Sequence, residues 1–233
     1  MANGDPVRSV GAALLRRHDL LRVDPSAWNA MLSRQPALAD MPLVAGWAGR
    51  GYPVIVRRRL CGDDAGAVPA ALPLPPSHGK RRIAIALPPG AVAVLPPLLL
   101  RDAAGAAPRA WQGTVAALLE LGQAVETTPR VFGALLWEHA TGLPYLTGAS
   151  DLDLIWPVPD RRILDRLLGA LPRLEADGPV RLDGEVLLPD GRAVQWREIA
   201  EARGPSAHVL VKSVDGVAMC PVAHLFARAA PAA

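Results

Sequence analysis

Residues 83–100, IAIALPPGAVAVLPPLLL, carry no charge over eighteen positions, and this run constrains the fold more than any other stretch. It is nominally long enough to cross a bilayer as a helix. Pro88, Pro89, Pro96 and Pro97 argue against that, because each removes a backbone donor and breaks regular helix. The run therefore reads as short strands and turns, and no membrane partner is expected. The first residues, MANGDPVRSVGAALLRRHD, hold no apolar core long enough for a signal peptide. Cys61 and Cys220 lie far apart in unrelated contexts, which fits free thiols in a cytoplasmic protein. The net charge of +3 is too small to argue for a nucleic-acid partner.

With 233 residues, 51% of them hydrophobic, the chain can build one large domain or two small ones. Asp24 or Ser26 can cap a helix that opens at Pro25. YPVIVRRR at 52–59 and KRRIAIAL at 80–87 read as strands, with a Pro- and Gly-rich loop between them. Residues 111–125 read as an amphipathic helix. After about residue 127 the pattern changes. A short strand, a glycine turn and a helix (RVFGALLWEHATGL) precede the strand ASDLDLIW. A helix ending near Pro172 follows, then a hairpin at PDG, a short helix, the strand HVLVKSV and a terminal helix from CPVAHLFARAA. The expected class is α+β, with α/β character in the second half. A small β-rich N-terminal domain (1–120) precedes a catalytic domain (121–233) with a mixed sheet flanked by helices.

Asp151 and Asp153 stand within an apolar run, where an uncompensated charge is costly. Alternation along a strand points both to one face, with Leu152 and Leu154 on the other. Two like charges on one face repel, and a divalent cation relieves that repulsion. Mg²⁺, or Mn²⁺, suits such a pair and commonly shares its coordination with substrate phosphates. In RLDGEVLL, Asp183 and Glu185 also share a face, and a neighbouring strand brings one of them to the site. Three carboxylates around metal suit in-line displacement at phosphorus, with the third taking a proton from an attacking hydroxyl. Glu185 is preferred as that third group, because Asp183 can instead cap the turn at Gly184.

VFGALLWEHATGLPYLTGASDLDL, 131–154, resembles the signature of the nucleotidyltransferase superfamily: Phe132-Gly133-Ala134, a spacer, then Asp151-Leu152-Asp153-Leu154. A glycine turn at a helix N-terminus offers backbone amides to a phosphate. Ala134 stands where Ser or Gly is usual and keeps the amide. Together with RHDLL, VIVRR, GKRRIAI and LPDGRAVQWRE, the chain from about 14 to 225 resembles the malonate decarboxylase holo-acyl-carrier-protein synthase family, the phosphoribosyl-dephospho-CoA transferases. The resemblance implies a nucleotidyltransferase-like fold and transfer of a prosthetic group. The donor would be 2'-(5''-triphosphoribosyl)-3'-dephospho-CoA and the acceptor a serine of the apo acyl-carrier subunit of malonate decarboxylase, with pyrophosphate released. Gly133 and Ala134 would hold phosphate through the backbone, with Ser150 assisting. Two other readings fit the residues: nucleotidyl transfer to a small-molecule hydroxyl, and a non-catalytic module that binds a nucleotide or carrier.

A triphosphate donor calls for positive charge. Arg57 with Arg59, and Lys80 with Arg82, are candidates for the donor or for an acidic carrier, against the plain alternative of a charged edge strand. Lys212, a lone cation in VLVKSV, is a candidate phosphate contact or an ion-pair partner of a carboxylate. His18 and Asp19 fit a structural hydrogen bond better than proton transfer. Trp137, Tyr145, Trp156 and Trp196 fit a core better than base stacking. The five histidines show no zinc spacing.

Overall fold

The computed structural model describes residues 8–9 and 15–227. The chain divides into two compact units, Met1–Pro97 and Leu98–Ala233. This division lies upstream of the 120/121 boundary read from the sequence. The helix at 112–124 packs against the helix at 161–177, so it belongs with the second unit. The N-terminal segment read for a signal peptide lies largely outside the described residues, as does the end of the helix expected after Cys220.

The first unit holds β1 (Arg8–Ser9), β2 (Leu20–Val23), α1 (Pro25–Leu32), α2 (Pro36–Ala39), α3 (Pro42–Ala45), β3 (Val54–Val56), β4 (Val68–Pro73), β5 (Arg82–Leu87) and β6 (Val92–Val94). Its sheet is antiparallel throughout, in the order β1-β6-β2-β3-β4-β5. The uncharged run becomes β5 and β6, joined across the prolines, as its punctuation requires. Along β5, Ile83, Ile85 and Leu87 are buried while Arg82, Ala84 and Ala86 are exposed, a strict period of two. Asp24 caps α1 by accepting the Ala27 amide at 2.9 Å. The indole of Trp28 donates to the Val44 carbonyl at 2.9 Å and that of Trp47 to the Pro53 carbonyl at 2.8 Å, so both large side chains are buried without an orphaned donor. No helix of the described residues is long and apolar enough to cross a membrane.

The second unit holds α4 (Leu100–Ala103), α5 (Gln112–Ala124), β7 (Arg130–Val131), α6 (Gly133–Thr141), β8 (Leu152–Pro157), α7 (Arg161–Asp177), β9 (Leu182–Leu187), β10 (Ala193–Gln195), α8 (Trp196–Glu201), β11 (His208–Lys212) and β12 (Val217–Pro221). Its sheet runs β12-β11-β10-β9-β8-β7 and is mixed, because β8 and β9 pair in parallel and the other neighbours are antiparallel. The crossover between the parallel strands is α7, capped by Asp160 at the Ile163 amide, 2.9 Å.

Two elements differ from the sequence reading. Helix α7 continues through Pro172 to Asp177. It buries Ile163, Leu164, Leu167 and Leu171 along one face. Burying each such side chain contributes about 1.5–3 kcal/mol. Together they exceed the ~3 kcal/mol penalty of an interior proline. The stretch from Cys220, read as a terminal helix, instead finishes β12 and passes into a single 3-10 turn at Val222–His224. The turn at 213–216, closed by the Ser213 amide on the Gly216 carbonyl at 2.8 Å, returns the chain as a hairpin onto β11.

Candidate functional site

Sheet register decides which carboxylates meet. In the parallel pair, Asp153 stands opposite Asp183 and Ile155 opposite Glu185. Register partners on neighbouring strands share a face. Asp153 and Asp183 are therefore nearest neighbours across the strands, and Glu185 lies one step further along. Leu152, Leu154 and Trp156 alternate to the opposite face, where all three are buried. Asp151 precedes β8 by one residue and is about one-third exposed, with its carboxylate 3.4 Å from Arg181 Nη1. The predicted Asp151/Asp153 pair thus sits at the start of β8.

Gly133 explains how Asp153 is seated. It opens α6 with φ +64°, a left-handed conformation that favours glycine. A Cβ there would lie 2.5 Å from Asp153 Cγ and 2.9 Å from Asp153 Cβ. The carboxylate thus occupies the space a side chain would fill, against the first turn of α6. Phe132, the N-cap residue, lends that turn no side-chain hydrogen bond, and the amides of Gly133 and Ala134 lie at a positive helix end. The loop that follows is folded back by Glu138, whose Oε2 accepts the Tyr145 and Leu146 amides at 2.9 and 2.7 Å. Ser150 closes the last turn before Asp151, its hydroxyl accepting the Thr147 amide at 2.9 Å. Glu138 escaped the sequence reading, and its only signal is a lone carboxylate just upstream of a glycine-containing loop.

Asp183 and Glu185 have different surroundings. Asp183 Oδ1 accepts two donors, the Gly184 amide at 2.8 Å and Gln195 Nε2 at 2.6 Å. Among the described residues no donor reaches Oδ2. A Cβ on Gly184 would run into the Leu154 carbonyl, so glycine is what lets β9 lie this close to β8. Glu185 is 5% exposed, and its Oε1 sits 2.9 Å from Lys212 Nζ. Lys212 is thus an ion-pair partner of a carboxylate, which was one of its two expected roles. That pair compensates a charge in the sheet interior.

Segment 195–198 binds these strands together. Gln195 Oε1 caps α8 at the Arg197 amide, 2.6 Å. Arg197 grips Glu175 with both terminal nitrogens, donates to the Leu182 carbonyl at 2.7 Å, and lies 4.3 Å over the Trp196 ring. Its guanidinium holds the Glu175 carboxyl below the usual carboxylate range, against the opposing effect of burial. Glu198 accepts the Leu210 amide at 2.6 Å.

The remaining candidates fall elsewhere. Arg57, Arg59, Lys80 and Arg82 all belong to the first unit. Arg57 is bidentate on Asp63 and also donates to the Ala70 carbonyl at 3.1 Å. The Arg57 guanidinium, with help from the Leu60 amide, pulls the Asp63 carboxyl down to about 2. Arg59 donates to the Asp64 and Ala67 carbonyls at 3.0 Å, so both arginines shape the 57–67 loop. Lys80 and Arg82 are exposed. Asp19 Oδ2 accepts the Arg16 amide at 2.7 Å, a structural role. Trp137, Tyr145, Trp156 and Trp196 are buried in the core. Cys61 and Cys220 are free thiols.

No cluster of three His, Cys, Asp or Glu side chains close enough to cage a metal occurs among the described residues. Mg²⁺ does not call for one, since it usually binds through one or two carboxylates together with substrate phosphates. Asp153, against the first turn of α6, with Asp151 two residues before it, fits that mode.

Residues 98–223 match the C-terminal domain of the phosphoribosyl-dephospho-CoA transferase MdcG, and residues 16–97 match its N-terminal domain. The two matches meet where the chain divides into its units. A phosphoribosyl-dephospho-CoA transferase of Bradyrhizobium diazoefficiens is 40% identical over 204 residues, covering 87% of this chain and 88% of the relative. One of Xanthomonas euvesicatoria pv. vesicatoria is 39% identical over 213 residues, covering 90% and 96%. No solved structure matches the chain significantly.

Proposed function

Because the chain belongs to the phosphoribosyl-dephospho-CoA transferase MdcG family, we propose that it transfers a phosphoribosyl-dephospho-CoA group from 2'-(5''-triphosphoribosyl)-3'-dephospho-CoA to a serine of the apo acyl-carrier subunit of malonate decarboxylase. The chain is a transferase. The observation that carries it is the placement of Asp153 between the first turn of α6 and Asp183 on the next strand.

In this reading the serine hydroxyl attacks the α-phosphorus of the donor. A new P–O ester bond forms, the α–β anhydride bond breaks, and pyrophosphate leaves with its electron pair. Asp151 and Asp153 would hold Mg²⁺ or Mn²⁺. The bound ion would offset the charge developing on the phosphates. The amides of Gly133 and Ala134 orient the same phosphate chain through the helix end. Asp183, its Oδ1 committed to Gly184 and Gln195, keeps Oδ2 to take the serine proton. Glu185, the carboxylate preferred from the sequence, is engaged by Lys212, so the proton-accepting role moves to Asp183.

Intact-mass spectrometry of the apo carrier tests this. Incubation with the protein, Mg²⁺ and the donor should add the donor's mass less pyrophosphate, and Asp151→Asn or EDTA should abolish the gain. Donor binding without a mass gain would favour a non-catalytic binding module. Transfer to a small-molecule hydroxyl alone would replace the carrier as acceptor.

A further inference from the structure

We propose that Gln195 is a positioning residue that fixes the rotation of the Asp183 carboxylate, an inference that rests on Asp183 being the proton acceptor. Gln195 ends β10, opposite Glu185 in the ladder and one strand away from Asp183. The two ends of its amide face partners of opposite kind. Oε1 receives the Arg197 backbone N–H at 2.6 Å, a group that can only donate. Nε2 reaches Asp183 Oδ1 at 2.6 Å, a carboxylate that, when ionised, can only accept. The amide therefore has one workable orientation, and a flipped one would set acceptor against acceptor and donor against donor.

The Gly184 amide donates to the same oxygen. Two donors converging on Oδ1 fix the plane of the carboxylate, and Oδ2 is left for the proton. The holder is itself held. Arg197, next in this circuit, grips Glu175 and the Leu182 carbonyl, the residue just before Asp183. The path Leu182–Arg197–Gln195–Asp183 is thus a closed ring of hydrogen bonds and chain around the carboxylate. The outer partners of metal ligands alter activity by roughly 10- to 100-fold when removed, and the same order is expected for the partner that orients a proton-accepting carboxylate.

The plain alternative is that Gln195 only caps α8. Two variants of the full chain separate the roles. Gln195→Glu keeps an acceptor for the Arg197 amide and loses the donor to Asp183. Gln195→Met loses both. The proposal expects Gln195→Glu, which sets a second carboxylate against Asp183, to lower the Tm by that repulsion and to keep the donor KM while kcat falls roughly 10- to 100-fold. It expects Gln195→Met to lower kcat in the wild-type background and to have less than about a twofold effect beside Asp183→Asn, where nothing remains to be positioned. Wild-type kcat in Gln195→Glu overturns the proposal, and so does an equal Gln195→Met factor in both backgrounds. Should Gln195→Met fail to fold, Gln195→Glu decides alone. Wild-type kcat in Asp183→Asn is a different result: it removes Asp183 as proton acceptor and leaves the rest of the function reading standing.

Discussion

Replacing Gly133 by alanine perturbs the site at one calculable point. The new Cβ would start 2.5 Å from Asp153 Cγ. Carbon atoms rest about 3.5–4 Å apart, so the carboxylate must retreat by roughly 1 Å. A misplacement of that size costs about 10²-fold in rate when geometry is demanding, or about 2.7 kcal/mol of transition-state stabilisation. The backbone adds a separate cost, since φ +64° is a left-handed conformation that disfavours an L side chain by about 1–2 kcal/mol. Gly142, the C-cap of the same helix, supplies the control. Its φ is +69°, and a Cβ there would meet nothing within 4 Å. Gly142→Ala should therefore lose about the same stability and keep full activity, whereas Gly133→Ala should lose both. Thermal unfolding and carrier-modification kinetics on the two variants read this directly. Equal activity in both would refute the claim that Asp153 must lie against the first turn of α6.

Two further outcomes concern ion pairs. Lys212→Met leaves Glu185, 5% exposed, without its cation and should destabilise the chain by about 2–3 kcal/mol in urea titration, with Lys212→Met/Glu185→Leu recovering most of it; unchanged donor affinity in a folded Lys212→Met would rule out a phosphate contact. Because Arg57 lowers the Asp63 carboxyl from 3.8 to about 2, the pair stabilises the folded state above the higher value and that contribution fades as pH drops toward the lower one; unfolding midpoints between those pH values should fall less steeply in Asp63→Asn.

The aspartates were legible because a strand has period two. Asp151-Leu152-Asp153-Leu154 reads as one charged and one apolar face in any sheet, and that is how β8 lies. The choice between Asp183 and Glu185 was not legible. Both sit on the correct face of β9, and which one meets Asp153 depends on the residue at which the α7 crossover returns the chain. Pro172 misled for a related reason. The rule that proline ends helices is local, while the four buried side chains of α7 act through tertiary packing. The hairpin into β12 did have a signal, Asp215-Gly216 between two apolar runs. The reading of a terminal helix from CPVAHLFARAA left that signal unused. Gln195 carried no motif at all, since a glutamine becomes a carboxylate anchor only once β9 and β10 are paired.

The single parallel pairing also sets the order in which the site can come into being. Asp183 and Gln195 meet through a hairpin, a contact between neighbours in sequence that closes at small entropic cost. Asp153 and Asp183 meet only once the chain has returned from Pro157 to Leu182 through the α7 crossover, a less local closure of the kind that slows folding. On the ribosome the carboxylate of β8 therefore waits for its partner, and the holder of Asp183 is in place no sooner than β10 emerges. In the proposed reading, a chain caught before that closure has both aspartates but no reaction centre, and chemistry at phosphorus would be confined to molecules that have paired β8 with β9.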